Sequence, residues 1–386
     1  MTRRRRVAVL MGGRSSEHPI SIASARSVIA ALDPERYDVV PIEIGRDGRW
    51  SLPGGQVSKS LGAGTVPATG AATLEDSNPA PEAAARGTVP ATSRPQLPVP
   101  GTANEVAATL AEVEVVLPIL HGPFGEDGRL QGLLEMAGVA YLGPDHAASA
   151  LCMDKDLFKA VMRDQGIPVT RNVTLRDAGS VAGSTGDARR EDLGGAEPQN
   201  PFGYPVFVKP ARLGSSVGIS KAHDDDELRA AVARAFEHDE KVLIEEFVAG
   251  VEVEVGVLGN REPVASLVGE IVVTHNEWYD WVAKYEEGEM ELVVPARITE
   301  EQTLRVQQLA VQAFVATECE GIARVDCFVR DDGEVLVNEL NTMPGFTATS
   351  VYAKLFEASG IPYADLLDRA IELALERSER RRGLKY

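Results

Sequence analysis

With 386 residues the chain is longer than one core of average size, so it is expected to fold as two or three packed domains. Hydrophobic residues make up 44% and charged residues 25%, the balance of a soluble globular enzyme rather than of a disordered or fibrous chain. The formal charge of −19 argues against nucleic acid as a partner, because most of the surface would repel its phosphates.

The opening MTRRRRVAVL has arginines but only a short apolar run, so it predicts neither a signal peptide nor a membrane span, and the arginines read as a solvated tail. Val7 to Leu10 predicts a buried strand, and the Gly-rich MGGRSSEHPIS leads into a helix from about Ile20 to Leu32. This strand-loop-helix start is typical of doubly wound domains. Two further strands, rich in β-branched residues, fit 37–44 and 113–120. Between them, from about Gln56 to Asn104, Ala, Gly, Pro, Ser and Thr dominate and GTVPAT occurs twice, which reads as a low-complexity surface insertion without apolar periodicity. A second polar insertion covers about 176–200. In ILHGPFGEDGRLQGLLEMAG a Gly-rich turn precedes an amphipathic helix with Asp127 as candidate N-cap. His121, at the end of the preceding strand, either faces a ligand or caps the turn.

MDKDLFKAVMRDQGIP has helical periodicity, with Gly166 and Pro168 as stop signals, and a new domain is expected to begin near it. Strands follow at 204–210 and 241–248, with a helix from Asp224 between them. In VEVEVGVL, Glu252 and Glu254 share one face and valines the other. Cys152, Cys319 and Cys327 match no metal-ligand spacing and suit a reduced, cytoplasmic setting.

The most informative stretch is RVDCFVRDDGEVLVNELN. A two-residue turn at Asp332-Gly333 would set Asp326 directly across from Glu339 and Arg324 across from Asn341, all on one face. The opposite face would then carry Val325, Cys327, Val329, Leu336, Asn338 and Leu340. Opposed carboxylates repel, so the Asp326–Glu339 pair asks for a cation between them; Mg²⁺ suits such oxygen donors and commonly shares them with substrate phosphates. VKPARLGSSVGIS offers a phosphate partner: Lys209 ends a strand, and Gly214, Ser215, Ser216 and Gly218 let backbone N–H groups approach an anion. It is no Walker A loop, since the lysine precedes the glycines. Glu245 and Glu252 flank an Ala-Gly bend whose free edge near Glu246 to Val248 can read an adenine; from these residues alone, a plain solvated connection is the simpler reading. The segment His275–Ala296 interleaves aromatics with Lys284 and Tyr285, either as a cover over a ligand or packed on its own domain.

In order along the chain, GGRSSEH, HGPFGEDG, FVKPARLGSSVGIS, DWVAKY and NELNTMPGFTATS resemble the D-alanine:D-alanine ligases of the ATP-grasp superfamily. The resemblance spans nearly everything except the two insertions. It implies a mixed α/β and α+β chain with an ATP-grasp fold: an N-terminal Rossmann-like substrate domain over 1–148, a central lid domain over 149–243 and a catalytic domain over 244–386. Lys155, Lys209 and Ser216 would then serve the ATP phosphates, Glu245, Glu246 and the backbone near Val248 the adenine, and Glu252 the ribose. Asp326, Glu339 and Asn341 would hold two Mg²⁺ (or Mn²⁺) ions, while Arg324 and the Gly345 N–H would form the oxyanion hole. Glu17, Ser215 and Tyr285 would orient the first D-alanine, and Ser350, Val351, Lys284 and His121 would surround the second. The implied reaction makes D-alanyl-D-alanine, ADP and phosphate through a D-alanyl phosphate, for peptidoglycan precursor synthesis, in a cytoplasmic homodimer. Pro19, Phe346 and Val351 depart from the usual family residues, which touches local packing only. D-lactate as acceptor is the nearest alternative, and Tyr285, where a basic residue would favour that acceptor, argues for the dipeptide. A noncatalytic ATP-binding module is the other; it leaves the metal set unexplained.

Overall fold

The computed structural model describes residues 3–52, 106, 108–176, 198–273 and 290–385. The Ala/Pro-rich insertion, nearly all of the second insertion, and the loop with Lys284 and Tyr285 lie outside the described residues.

Three sheets organise the chain. The first runs β3-β2-β1-β4-β5, from β1 (Arg5–Gly12), β2 (Tyr37–Ile44), β3 (Trp50–Ser51), β4 (Val115–Pro118) and β5 (Ala140–Tyr141). All its pairings are parallel except that of β3 at the edge. Val7, Ala8, Val9 and Leu10 are wholly buried, so β1 reads as a continuous apolar run, as a parallel strand covered on both faces must. Helix α1 (His18–Ala31) crosses over β1 and starts two residues earlier than its periodicity predicts, because Pro19 is compatible with a first helical turn. Its buried Ser21 accepts from Gly12 N at 2.8 Å and donates to the Ile119 carbonyl, tying the helix to two strand ends. Gly12 has φ +89°, and a Cβ there would run into the Ile44 carbonyl; only glycine fits.

Helix α2 (Arg129–Met136) has Gly128 at its N-cap position. Asp127 is therefore not the N-cap; one residue earlier, its carboxylate accepts from Phe124 N at 2.7 Å and Arg129 N at 3.2 Å, bracing the Gly-rich turn instead. Helices α3 (His146–Met153) and α4 (Lys155–Asp164) lead to the second sheet. That sheet is antiparallel in the order β6-β9-β7-β8, with β6 (Asn172–Arg176), β7 (Val206–Pro210), β8 (Ser220–Ala222) and β9 (Lys241–Glu246). It packs on α5 (Asp225–Ala235) through Val206, Val208, Leu228, Val232 and Ile244.

The third sheet is also antiparallel: β12-β11-β10-β13-β14, from β10 (Gly250–Gly259), β11 (Val264–Val273), β12 (Met290–Val293), β13 (Gly321–Arg330) and β14 (Val335–Asn341). Helix α6 (Glu300–Ala316), started by a Thr299–Gln302 capping box, covers one face through Val306, Leu309, Ala313 and Phe314. The other face carries the polar row taken up below.

The β13–β14 hairpin departs from expectation in one instructive way. Arg330 N donates to Glu334 O at 2.9 Å, so the loop has three residues, Asp331 to Gly333, not two. That would shift the ladder by one residue, but Asn338 is bulged out: Cys327 pairs with Val337 while Asp326 pairs with Glu339. The expected pairs Asp326–Glu339 and Arg324–Asn341 therefore stand. The composition of the core face is corrected: Val335, Val337 and Leu340 pack into it, whereas Leu336 lies opposite Phe328 and Asn338 borders a cavity.

The last two helices, α7 (Val351–Ala358) and α8 (Tyr363–Arg382), join the first and third sheets. Leu366, Leu367, Ala370 and Ile371 of α8 share one core with Val7, Val9 and Leu117 and with Leu258 and Ile322. Arg377, 4% exposed, donates to the carbonyls of Gly143 and Tyr141 and stacks 4.4 Å from the Tyr141 ring centre.

Candidate functional site

A cavity of about 420 Å³ lies between the second and third sheets, bordered by Lys155, Lys209, Ser216, Glu245, Glu252 and Glu339. Lys155 is the first residue of α4. Its backbone N–H donates to Ala211 O at 3.0 Å and its Nζ to Leu213 O at 2.7 Å, which fastens the helix start to the chain after β7. The same Nζ lies 3.2 Å from Glu339 Oε2, bringing two distant candidates together across the cavity.

Lys209 Nζ pairs with Glu245 Oε2 at 2.7 Å. A second lysine, missed in the sequence, sits on the other oxygen: Lys159 Nζ is 3.1 Å from Glu245 Oε1 and also donates to Thr170. Burial pushes Glu245 upward, but the charges of Lys159 and Lys209 outweigh it and bring the carboxyl down to about 2. Burial dominates at Lys159, whose pKa falls to about 8 despite Glu245. The signal was available: Lys159 is one helical turn from Lys155 and flanked on the apolar face by Phe158 and Met162. Glu246 and Val248 border the cavity too, but the Glu246 carboxylate is committed to Arg171 N at 2.8 Å and to Arg330 at 3.2 Å.

On the polar face of the third sheet, Asp326 is buried and held by Arg324 through two bonds of 2.7 Å, from Nε and Nη2. Asn341 Nδ2 donates to Asp326 Oδ2 at 3.0 Å. Lys155 and Arg324 thus balance the charges that the Asp326–Glu339 apposition places together. Among the described residues no group of three His, Cys, Asp or Glu side chains forms a metal cage. Two carboxylates and an amide, all oxygen donors beside a lysine-lined cavity, suit a hard divalent ion that takes its remaining ligands from phosphate and water.

The third part of the site comes from loops around the first sheet. Glu17, at the N-cap position of α1, accepts a hydrogen bond from Ser215 Oγ. Ser215 and Ser216 hold left-handed φ values of 52° and 56°, uncommon for serine, so this loop has one demanding shape. Gly122 has φ +71°, and a Cβ there would strike the Glu17 carboxylate. His121 is buried, with Nδ1 3.2 Å from Met343 O and 3.6 Å from Glu126 Oε1, so it faces inward to the site's edge. Burial raises Glu126 to about 7; at His121 burial opposes the charge, but Glu126 and Glu17 outweigh it and the pKa goes up. Met343 follows Asn341 closely, so the segment leaving β14 connects the Asp326 row to the His121–Glu126 pair. Two residues on, a Cβ on Gly345 would lie 3.2 Å from Ser350 Oγ, which itself accepts from Thr347 N at 3.0 Å. Ser350 stands at the N-cap position of α7 and Val351 is its first residue. Lys284 and Tyr285 lie outside the described residues.

Residues 6–144 match the family model for the D-ala D-ala ligase N-terminus, and residues 161–372 that for its C-terminus. The chain belongs to the D-ala D-ala ligase family. A D-alanine–D-alanine ligase of Geobacillus thermodenitrificans is 42% identical over 381 residues, covering 99% of this chain and 98% of that one. The solved D-alanine–D-alanine ligase of Coxiella burnetii superposes with TM-score 0.71 at 32% identity, over 98% of this chain and 96% of its own. That of Bacillus anthracis, solved as a complex with ATP, gives 0.68 at 25% identity, over 98% and 99%. These relatives share the ATP-grasp architecture expected from the sequence. Among the described residues of this family member, no helix is long and apolar enough to cross a membrane.

Proposed function

We propose that this chain is a D-alanine:D-alanine ligase that joins two D-alanine molecules with cleavage of ATP to ADP and phosphate, supplying a peptidoglycan precursor. The observation that carries this reading is that one cavity has Lys155 reaching Glu339 and Lys209 reaching Glu245, with Asp326 opposed to Glu339 in the adjoining ladder.

In this reading Lys155, Lys209 and the Ser216 loop hold the phosphates, Glu245 and the chain from Glu246 to Val248 the base, and Glu252 the ribose. Asp326, Glu339 and Asn341 would hold Mg²⁺ or Mn²⁺, which supplies charge neutralisation at the phosphates when bound. The carboxylate of the first D-alanine attacks the γ-phosphorus in line, and ADP leaves. The amine of the second then attacks the resulting acyl phosphate, Arg324 and the Gly345 N–H steady the oxyanion, and phosphate departs. Glu17 and Ser215, with Tyr285, keep water from the acyl phosphate. His121, Lys284, Ser350 and Val351 surround the second D-alanine. We place the activity in a cytoplasmic homodimer of three-lobed chains. Since β9 runs to Glu246 within the second sheet, we set the second lobe boundary just after it rather than at 243.

The test is ATP-dependent phosphate release with D-alanine against L-alanine. Release with D-alanine alone, accompanied by dipeptide, is expected; release indifferent to the enantiomer would overturn the reading.

A further inference from the structure

Three carboxylates stand in one row across adjacent strands of the third sheet. Glu254 of β10 pairs in register with Asp326 of β13, which pairs with Glu339 of β14. Glu254 is wholly buried. Its Oε2 lies 3.0 Å from Arg324 Nε, the same nitrogen that is 2.7 Å from Asp326 Oδ1. Arg324 is therefore shared between two carboxylates on neighbouring strands, with Glu339 on the far side of Asp326.

Stability does not explain a glutamate at this position. Taking a carboxylate wholly out of water is costly even when paired, and a well-packed apolar residue is often as good or better. The order of the row suggests what the charge does. In the proposed function Asp326 has two claims on it, from Arg324 and from a divalent cation on the Glu339 side. A guanidinium held by Asp326 alone would lose its anchor, and be repelled, when those oxygens turn to the cation. Glu254 offers a second anchor from the opposite strand.

We propose that Glu254 is a positioning residue, fixing the Arg324 guanidinium so that it stays aimed at the reacting groups while Asp326 serves the cation. This rests on the role of Arg324 in the proposed ligase reaction. A loss of aim affects the chemical steps more than ATP binding, since Lys209 and Glu245 pair with each other and not with this row.

The experiment compares Glu254→Gln, Arg324→Met and the double variant in D-alanine-dependent phosphate release at saturating Mg²⁺, with melting curves and a crystal structure of Glu254→Gln. Expected for Glu254→Gln are a kcat lower by roughly a hundredfold, the scale set by small misplacements of a reacting group, and a KM for ATP within about twofold of the parent. The double variant should be no slower than Arg324→Met, and the Arg324 guanidinium should be displaced in the crystal. Glu254→Met, similar in volume and apolar, carries the same kinetic expectation if the glutamine variant melts early. Parent-like kcat in a folded Glu254 variant, with Arg324→Met slow, overturns the positioning role and leaves the ligase reading standing. Multiplying losses in the double variant overturn it as well. Parent-like kcat in Arg324→Met removes the Arg324 role and this inference with it.

Discussion

Asp326 lies directly across from Glu339 because Asn338 is bulged out of β14, which cancels the extra residue in the three-residue loop between the strands. Side chains alternate along a strand, so the bulge decides which face Glu339 and Asn341 occupy. Because Asn338 is the extra residue, inserting one glycine between Asn338 and Glu339 should shift the ladder by one and turn both away from Asp326. D-alanine-dependent phosphate release is expected to fall at least about a hundredfold while circular dichroism keeps its α/β character. Parent-like turnover in the insertion variant would show that the apposition is dispensable.

The Ser215 to Glu17 hydrogen bond joins the loop after β7 to the start of α1. Hydrogen bonds to charged groups contribute about 1.5–3 kcal/mol. Ser215→Ala should therefore loosen closure over the acyl phosphate, and more phosphate should be released than dipeptide formed. Measuring both products in one reaction checks this, and a ratio unchanged from the parent counts against the closing role.

At the His121–Glu126 pair the pH dependence of stability has a definite sign. Burial raises Glu126 to about 7, so the folded chain keeps a proton that the unfolded chain loses near its ordinary value of 4.5. Glu126 thus makes stability fall as pH rises through that interval and level off above it; His121, also raised, acts in the same sense, its contribution being lost as pH rises through its folded value. In Glu126→Gln the drop in urea midpoint between about pH 5 and about pH 8 should be smaller than in the parent. An equal drop in both proteins would refute the assignment.

Lys159 touches Glu245 from the side opposite Lys209. Lys159→Met should leave that carboxylate less firmly held and raise the KM for ATP by about tenfold, with kcat changed less, as expected from losing about one charge-assisted contact. Steady-state kinetics with varied ATP distinguish this from a loss of folding, which would lower the active fraction at every ATP concentration.

Much of the fold and part of the site were legible from local pattern. The apolar run of β1, the Gly-rich turn after it and the lysine of α4 are written in contiguous residues. The Asp326–Glu339 pairing was reached through a two-residue turn that the chain does not make, and it stood because bulge and loop compensate. Glu254 was seen sharing a face with Glu252, but its place beside Asp326 depends on β10 neighbouring β13, a pairing between segments some seventy residues apart in the chain. No periodicity within either strand encodes that. Lys159 was legible as a lysine one turn from Lys155 on the apolar face of α4, but its partner was not, since only the tertiary fold puts Glu245 against it.

Helix α8 completes the core of the first sheet, packing Leu366, Leu367 and Ile371 against Val7, Val9 and Leu117. During synthesis the strands emerge first, and their apolar face waits until nearly the whole chain has left the ribosome. The first sheet therefore cannot complete its core without α8. Through that interval the uncovered sheet is exposed to aggregation, and slower elongation lengthens the exposure.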